Sequence, residues 1–160
     1  MEHNDKEELF NALYEKYFHR IWKYVYYKIG NREDTEDLCQ EIFFKVWKGL
    51  DKFEGKSSYY TWIFKISMNT VISFYRKRKL KKFISLDYVD ERYYSHEKDE
   101  TKERVLNKIR LLPDDLKKVV ELYYISNFKI IEIAEILDIP EGTVKTKLKR
   151  ARELLMELLK

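Results

Sequence analysis

Cysteine is almost absent from this 160-residue chain: Cys39 stands alone, so neither a disulfide framework nor a thiolate metal site forms within it, in keeping with a reducing cytosol. His3, His19 and His96 lie far apart, without HxxxH or carboxylate spacing, so the usual metal-ligand patterns are missing and no metal site is expected. With only four glycines and two prolines, and without alternating valine-rich runs between turn residues, β-structure has little support. No apolar run reaches the roughly 18 residues of a membrane span. The opening "MEHNDKEELF" is polar and acidic rather than a signal peptide. The expectation is a soluble, cytoplasmic, all-α protein. A charge surplus is lacking too: 32 basic against 28 acidic residues leave +4, so any affinity for a polyanion must be local to particular faces.

What is present is helical periodicity and charge in blocks. "EELFNALYEKYFHRIWKYVYYKI" places Leu9, Leu13, Tyr17, Ile21, Tyr24 and Lys28 at spacings of three or four, until Gly30 and Asn31 stop the helix. "DTEDLCQEIFFKVWKGL" repeats the pattern through Leu38, Ile42, Val46 and Leu50, with Asp37, Gln40 and Glu41 on its polar face. After the loop "DKFEGKSS", the helical stretch "YYTWIFKISMNTVISFYRKRK" leads into "RKRKLKK", Arg76 to Lys82, whereas Asp87 to Glu103 is predominantly acidic. Trp22, Ile42, Val46, Trp47, Trp62, Ile63 and Ile66 read most simply as core. The organisation expected is a helical domain over 6–82, a flexible linker over 83–100 and a second helical domain over 101–160. The second domain opens with "ETKERVLNKIRLLP" and a continuous helix over Asp114 to Ile125.

The most informative stretch is "KIIEIAEIL", Lys129 to Leu137, followed by the turn "DIP" and then "EGTVKTKLKRAR". Two helices joined by so short a turn read as a helix-turn-helix. Pro140 and Glu141 suit the entry of the second helix, and Gly142 lets a phosphate approach its backbone closely. At 100° per residue Val144, Leu148, Ala151, Leu155 and Leu158 form a core-facing stripe. Lys145, Lys149 and Arg152 form a second stripe, continued by Thr146 and Arg150. Alone, such a basic face is as readily a solvated one; the preceding helix and turn point to DNA, because in this motif the second helix enters the major groove.

"EDLCQEIFFKVW" followed by "FEGKSSYYTWIFKISMNTVISFYRKRK" resembles the first conserved domain of ECF sigma factors, a group within the sigma-70 superfamily. "LLPDDLKKVVELYYISNFKIIEIAEILDIPEGTVKTKLKRARELL" resembles their second. The GTVK helix alone is shared with response-regulator output domains; the DLxQExF segment joined to a TWI helix and then to that motif is highly specific. The resemblance implies that Asp37, Gln40 and Glu41 dock on the clamp helices of core RNA polymerase. It implies that Asn69, with Gly49 and Phe53 nearby, receives a flipped base of the −10 element, and that Arg76, Lys77, Arg78 and Lys79 track phosphates. It implies that Lys145, Thr146, Lys149 and Arg150 contact the −35 element, where Lys149 departs from an aromatic found in some members. Lys147 and Arg152 are left as phosphate or surface residues. Restraint by an anti-sigma factor, which in the family is often anchored at the inner face of the membrane, is also implied.

Phe83 to Glu100, 18 residues, spans about 60 Å when extended, against the roughly 70 Å of two DNA turns, so two-site promoter binding fits the length. A stand-alone helix-turn-helix regulator is the runner-up reading. A nuclease would need clustered carboxylates or an activated nucleophile, and the acidic residues are dispersed. Neither a catalytic site, a cofactor nor a small-molecule substrate is expected.

Overall fold

A computed structural model describes residues 3–84 and 100–160, the side chains of 79–84 and 102 excepted. The expected linker therefore lies, except at its two ends, outside the described residues. The chain divides into two compact helical units, and among the described residues there is no strand.

The first unit packs α1 (His3–Ile29), α2 (Arg32–Gly49) and α3 (Tyr59–Ile84) against one another. Gly30 ends α1 at φ +76°, where a side chain is disfavoured, and its N–H donates to the Tyr26 carbonyl at 2.8 Å. Asn31 then caps α2, its Oδ1 accepting from Asp34 N–H at 2.9 Å. A 3₁₀ turn, Leu50–Lys52, leads into the loop that ends at Ser58, whose Oγ accepts from Thr61 N–H at 3.1 Å and starts α3. Ile21, Val25, Ile42, Val46, Ile63 and Phe64 are fully buried between the helices. Each such side chain contributes about 1.5–3 kcal/mol. The buried hydroxyls are satisfied locally: Thr35 donates to the Asn31 carbonyl and Ser67 to that of Ile63. Tyr75 donates to the Lys28 carbonyl and so ties α3 to the end of α1.

The second unit comprises α4 (Glu100–Arg110), α5 (Asp114–Val120), a five-residue π turn (Glu121–Ile125), α6 (Ile130–Leu137) and α7 (Glu141–Leu159). The continuous helix expected over 114–125 widens at its end. Ser126 N–H donates to the Glu121 carbonyl and Phe128 N–H to that of Leu122, both at 3.0 Å, with Asn127 at φ +54°. The wider turn buries Glu121 and Leu122 along with Phe128. α6 begins with the Glu132 carboxylate accepting from Lys129 N–H at 2.8 Å and ends with Asp138 in the left-handed region. There Ile139 N–H reaches back to the Ala134 carbonyl at 3.1 Å, a Schellman closure that makes the turn short. Ile109, Leu112, Leu116, Val120 and Ala151 form one core cluster.

Two expectations about the core need correction. On α7, Val144, Leu148 and Ala151 are buried and Leu155 is partly so, but Leu158 is 37% exposed, although Arg104 of α4 still reaches the last turn and donates to the Leu159 carbonyl at 3.2 Å. Trp22, Trp47, Trp62 and Ile66 are only partly buried, on flanks of their helices that no third helix covers.

Candidate nucleic-acid interface

Helix α3 buries Tyr60, Ile63, Phe64, Ser67, Thr70 and Val71 and turns the opposite stripe outward. Trp62, Asn69 and Arg76 recur on that stripe every seven residues, about 20° apart in azimuth. Asn69, Arg76 and Lys77 are exposed. The Trp62 ring lies against Gly49, where an added Cβ would stand 2.8 Å from Cζ2, so only glycine admits the indole. Phe53 packs on that indole at 5.0 Å between centroids and on Tyr59 at 4.5 Å. Gly49 and Phe53, chosen from the resemblance, thus share one aromatic cluster with Trp62, which sequence reasoning had assigned to the core. Arg78 is less available than its neighbours. Its guanidinium is 3.7 Å from the Asp34 carboxylate and lies over Phe74 at 5.3 Å. The side chain of Lys79 lies outside the described residues.

On α2, Asp37, Gln40, Glu41 and Phe44 are exposed, Phe44 by 56%. Glu41 already pairs with Lys45 at 2.7 Å, and Lys45 also donates to Thr70 at 3.1 Å. Asp37, Gln40 and Phe44 are therefore the freer members of that face. Beside them, α1 and α2 enclose a groove of about 760 Å³ lined by Phe10, Tyr14, Phe18, Trp22, Phe43 and Trp47. Tyr14 stacks on Phe18 at 4.8 Å and meets Phe43 edge-on at 4.8 Å. Lys6 pairs with Asp51 and sits over Trp47 at 4.6 Å, closing one end of the aromatic row. That contact holds the Asp51 carboxyl below the usual carboxylate range. Beneath the groove, burial pushes the Cys39 thiol up to about 12, so it stays protonated at neutral pH.

On α7, Lys145, Thr146, Lys149 and Arg150 are all exposed. The Thr146 hydroxyl donates to the Gly142 carbonyl at 2.9 Å, which leaves its methyl and oxygen lone pairs to face outward. Open space surrounds Gly142, with nothing within 4 Å of an added Cβ. The other two cations of the helix are engaged within the unit. Lys147 Nζ is 2.6 Å from the Asp115 carboxylate, and Arg152 Nε donates to the Tyr124 hydroxyl at 2.7 Å. Lys147 and Arg152 thus stay at the surface, each with a partner inside the unit.

Comparison with known proteins decides the family. Residues 13–81 match the Sigma-70 region 2 model, and residues 102–155 match Sigma-70 region 4. The ECF RNA polymerase sigma factor SigW of Bacillus subtilis is 31% identical over 172 aligned positions, covering 96% of this chain and 90% of SigW. The chain belongs to the ECF RNA polymerase sigma factors. The sigma-E factor of Haemophilus influenzae is 29% identical, over 93% of this chain and 86% of its own. Among solved structures, the sigma factor RpoE in complex with the anti-sigma factor NepR, from Bartonella quintana, superposes with a TM-score of 0.75 at 25% identity, covering 94% of this chain and 96% of RpoE. CnrH, solved with the cytosolic domain of CnrY, shares the fold at a TM-score of 0.71 and 22% identity.

As a sigma factor the chain is a transcription initiation factor, acting with core RNA polymerase at promoter −10 and −35 elements, and not an enzyme in the ordinary sense. None of the sigma factor's described helices is long and apolar enough to cross a membrane. Phe44, Trp62 and the ring row of the α1–α2 groove adjoin these faces and were not among the site residues read from the sequence. The signal for Phe44 was present in the sequence, since an aromatic three and four residues beyond Glu41 and Gln40 continues the same outward face.

Proposed function

We propose that the outward surfaces of this sigma factor divide the work of initiation. The face of α2 around Asp37, Gln40 and Phe44 docks on the clamp helices of the polymerase largest subunit, with Glu41 contributing once Lys45 yields it. The stripe Trp62, Asn69 and Arg76, with Phe53 beside it, receives the unpaired −10 strand: rings support unstacked bases, the amide reads a base edge and Arg76 and Lys77 meet phosphates. Arg78 and Lys79 extend that run, Arg78 by exchanging Asp34 for a phosphate. Helix α7 reads the −35 element through Lys145, Thr146, Lys149 and Arg150. The residues 6–82 and 101–160 act as the two DNA-binding domains, and 83–100 links them.

The observation that carries this reading is the separation of chemistry. A ring, an amide and a cation share one stripe of α3, with Phe53 packed against the ring, while α7 offers cations and a hydroxyl without a ring. Single strands are held by stacking at about 1–3 kcal/mol per base, whereas duplex is held by phosphate and base-edge contacts. Restraint by an anti-sigma partner completes the proposal, supported by the complex of RpoE with NepR. An anti-sigma factor embedded in the membrane would hold the protein at the inner face. The test is to mix the full chain with core RNA polymerase from its host and transcribe a genomic fragment library. Co-elution with core and new start sites is the expected result. Active core without co-elution, alongside tight duplex binding by the chain alone, would instead make it a stand-alone helix-turn-helix regulator.

A further inference from the structure

We infer that Lys147 and Arg152 are positioning residues that brace α7 from its two flanks, fix its rotation about its own axis, and thereby decide which side chains face the −35 DNA. The inference rests on the reading of α7 as the groove-entering helix. With Val144 as origin and 100° per residue, the buried positions Leu148 and Ala151 lie within about 40° of it. Lys147 falls at about −60° and Arg152 at about +80°, while Lys145, Lys149, Thr146 and Arg150 occupy about 100° to 240°. The two braced cations therefore stand on the two borders between core and outward face, and the four side chains read as DNA contacts lie between them.

Each brace reaches a different part of the unit. Lys147 crosses to Asp115 in the first turn of α5, at 2.6 Å, and that contact holds the Asp115 carboxyl below the usual range. Arg152 crosses to Tyr124 in the π turn, donating to its hydroxyl at 2.7 Å with the guanidinium 5.8 Å from the ring centre. Tyr124 is in turn packed edge-on against Tyr123 at 4.9 Å. Val144 and Leu148 anchor the buried stripe, while Ala151 adds only a single methyl, so the two borders share in holding the rotation. Rotation matters because α7 is thick: on a helix about 11 Å across, a roll of about 20° carries a side-chain tip about 2 Å. Hydrogen bonds to base edges tolerate only about 0.5 Å.

Full-chain variants assembled with core RNA polymerase are selected against a duplex library randomised over the upstream element, and affinity for the winning sequence is followed against salt. Lys147→Gln and Asp115→Asn are each expected to weaken binding about two- to fivefold and to broaden the selected sequence. The double variant should be no worse than either, with the salt slope unchanged, and Lys147→Arg should restore the original preference. Tyr124→Phe, which keeps the ring and loses the hydroxyl, should match Arg152→Gln. Thermal melts identify any variant that simply unfolds. If Asp115→Asn tightens binding, or Lys147→Gln lowers the slope by about one, Lys147 is a phosphate contact and the brace is overturned. Lys149→Gln is the control on the reading beneath: its slope should fall by about one. If it leaves both affinity and slope untouched, α7 does not read the element, and the brace falls with that reading by a result distinct from the first.

Discussion

The first unit of this sigma factor sets partly exposed rings beside its exposed cations, whereas the groove-facing helix of the second offers cations and a hydroxyl without a ring. In the first, Trp62 lies with Phe53 and Tyr59, two turns before Asn69 on the same flank of α3, and a second aromatic row lines the groove between α1 and α2. In the second, the exposed face of α7 is Lys145, Thr146, Lys149 and Arg150. Both are the outward flanks of amphipathic helices on small cores, so the helix supplies rigidity in each case and the side chains supply the difference. A ring holds a base only when the base is out of its stack, whereas a cation meets phosphates of an intact duplex. The contrast therefore separates opening from docking.

The largest break in that contrast should come from Trp62→Ala. Losing one stacking platform costs about 1–3 kcal/mol, so opening, followed by permanganate reactivity of the −10 thymines, is expected to fall by up to about a hundredfold. Binding of the −35 duplex should keep its affinity and salt slope; a change there would merge the two roles. Asn69→Ala should leave holoenzyme intact and relax the preferred −10 base, and an unaltered preference removes Asn69 from the site.

Next in size, Lys145→Ala or Arg150→Ala is expected to lower −35 affinity by about 1–3 kcal/mol if it removes a base contact, and to reduce the salt slope by about one if it removes a phosphate contact. Co-elution with core polymerase should survive, and its loss would contradict the division.

A smaller effect is expected from Gly49→Ala. The new Cβ meets Trp62 Cζ2 at 2.8 Å, and overpacking of this kind costs about 1–3 kcal/mol, offset by up to about 1 kcal/mol of helix propensity. Opening should suffer more than the melting temperature, because the indole is displaced while the core behind it remains.

The pH effects come last, because they vanish in the neutral range where the other comparisons are made. Cys39 has its folded value raised to about 12 from 9.0, so the unfolded chain releases this proton first. Its contribution is complete below about pH 9 and is lost as pH rises toward 12. Urea melts across that range should show stability falling, and alkylation of Cys39 at pH 8 should follow unfolding rather than simple exposure. Asp51 and Asp115 have the opposite sign: held low by Lys6 and Lys147, they stabilise above the usual carboxylate range and lose that contribution as pH drops through it.

Much of this was legible from residue spacing. The 3.6-residue period through Leu13, Ile21, Leu38, Ile42 and Val46 marks helices because burial requires one face to be apolar, and all five are buried. The short turn at Asp138 to Pro140 was equally plain. Periodicity does not say whether a ring on the border of an apolar stripe is covered by a neighbour. Trp22, Trp47 and Trp62 have the spacing of core residues and end only partly buried, because only the packing of α1, α2 and α3 decides which borders are roofed. Glu41 with Lys45 is an i,i+4 pair that spacing alone allows. Arg78 with Asp34 is not, being contributed by different helices.

The sequence by itself determined the helices, the two-part order, the basic face of α7 and membership of the family, because these depend on local period and on motifs contiguous in the chain. Only the tertiary structure decided which charges and rings on those faces are free. Lys147 and Lys149 are two residues apart on one basic helix, yet one is held by Asp115, 32 positions away, and the other stands open. A partner so distant is chosen by how helices pack, and no spacing within a single helix records it.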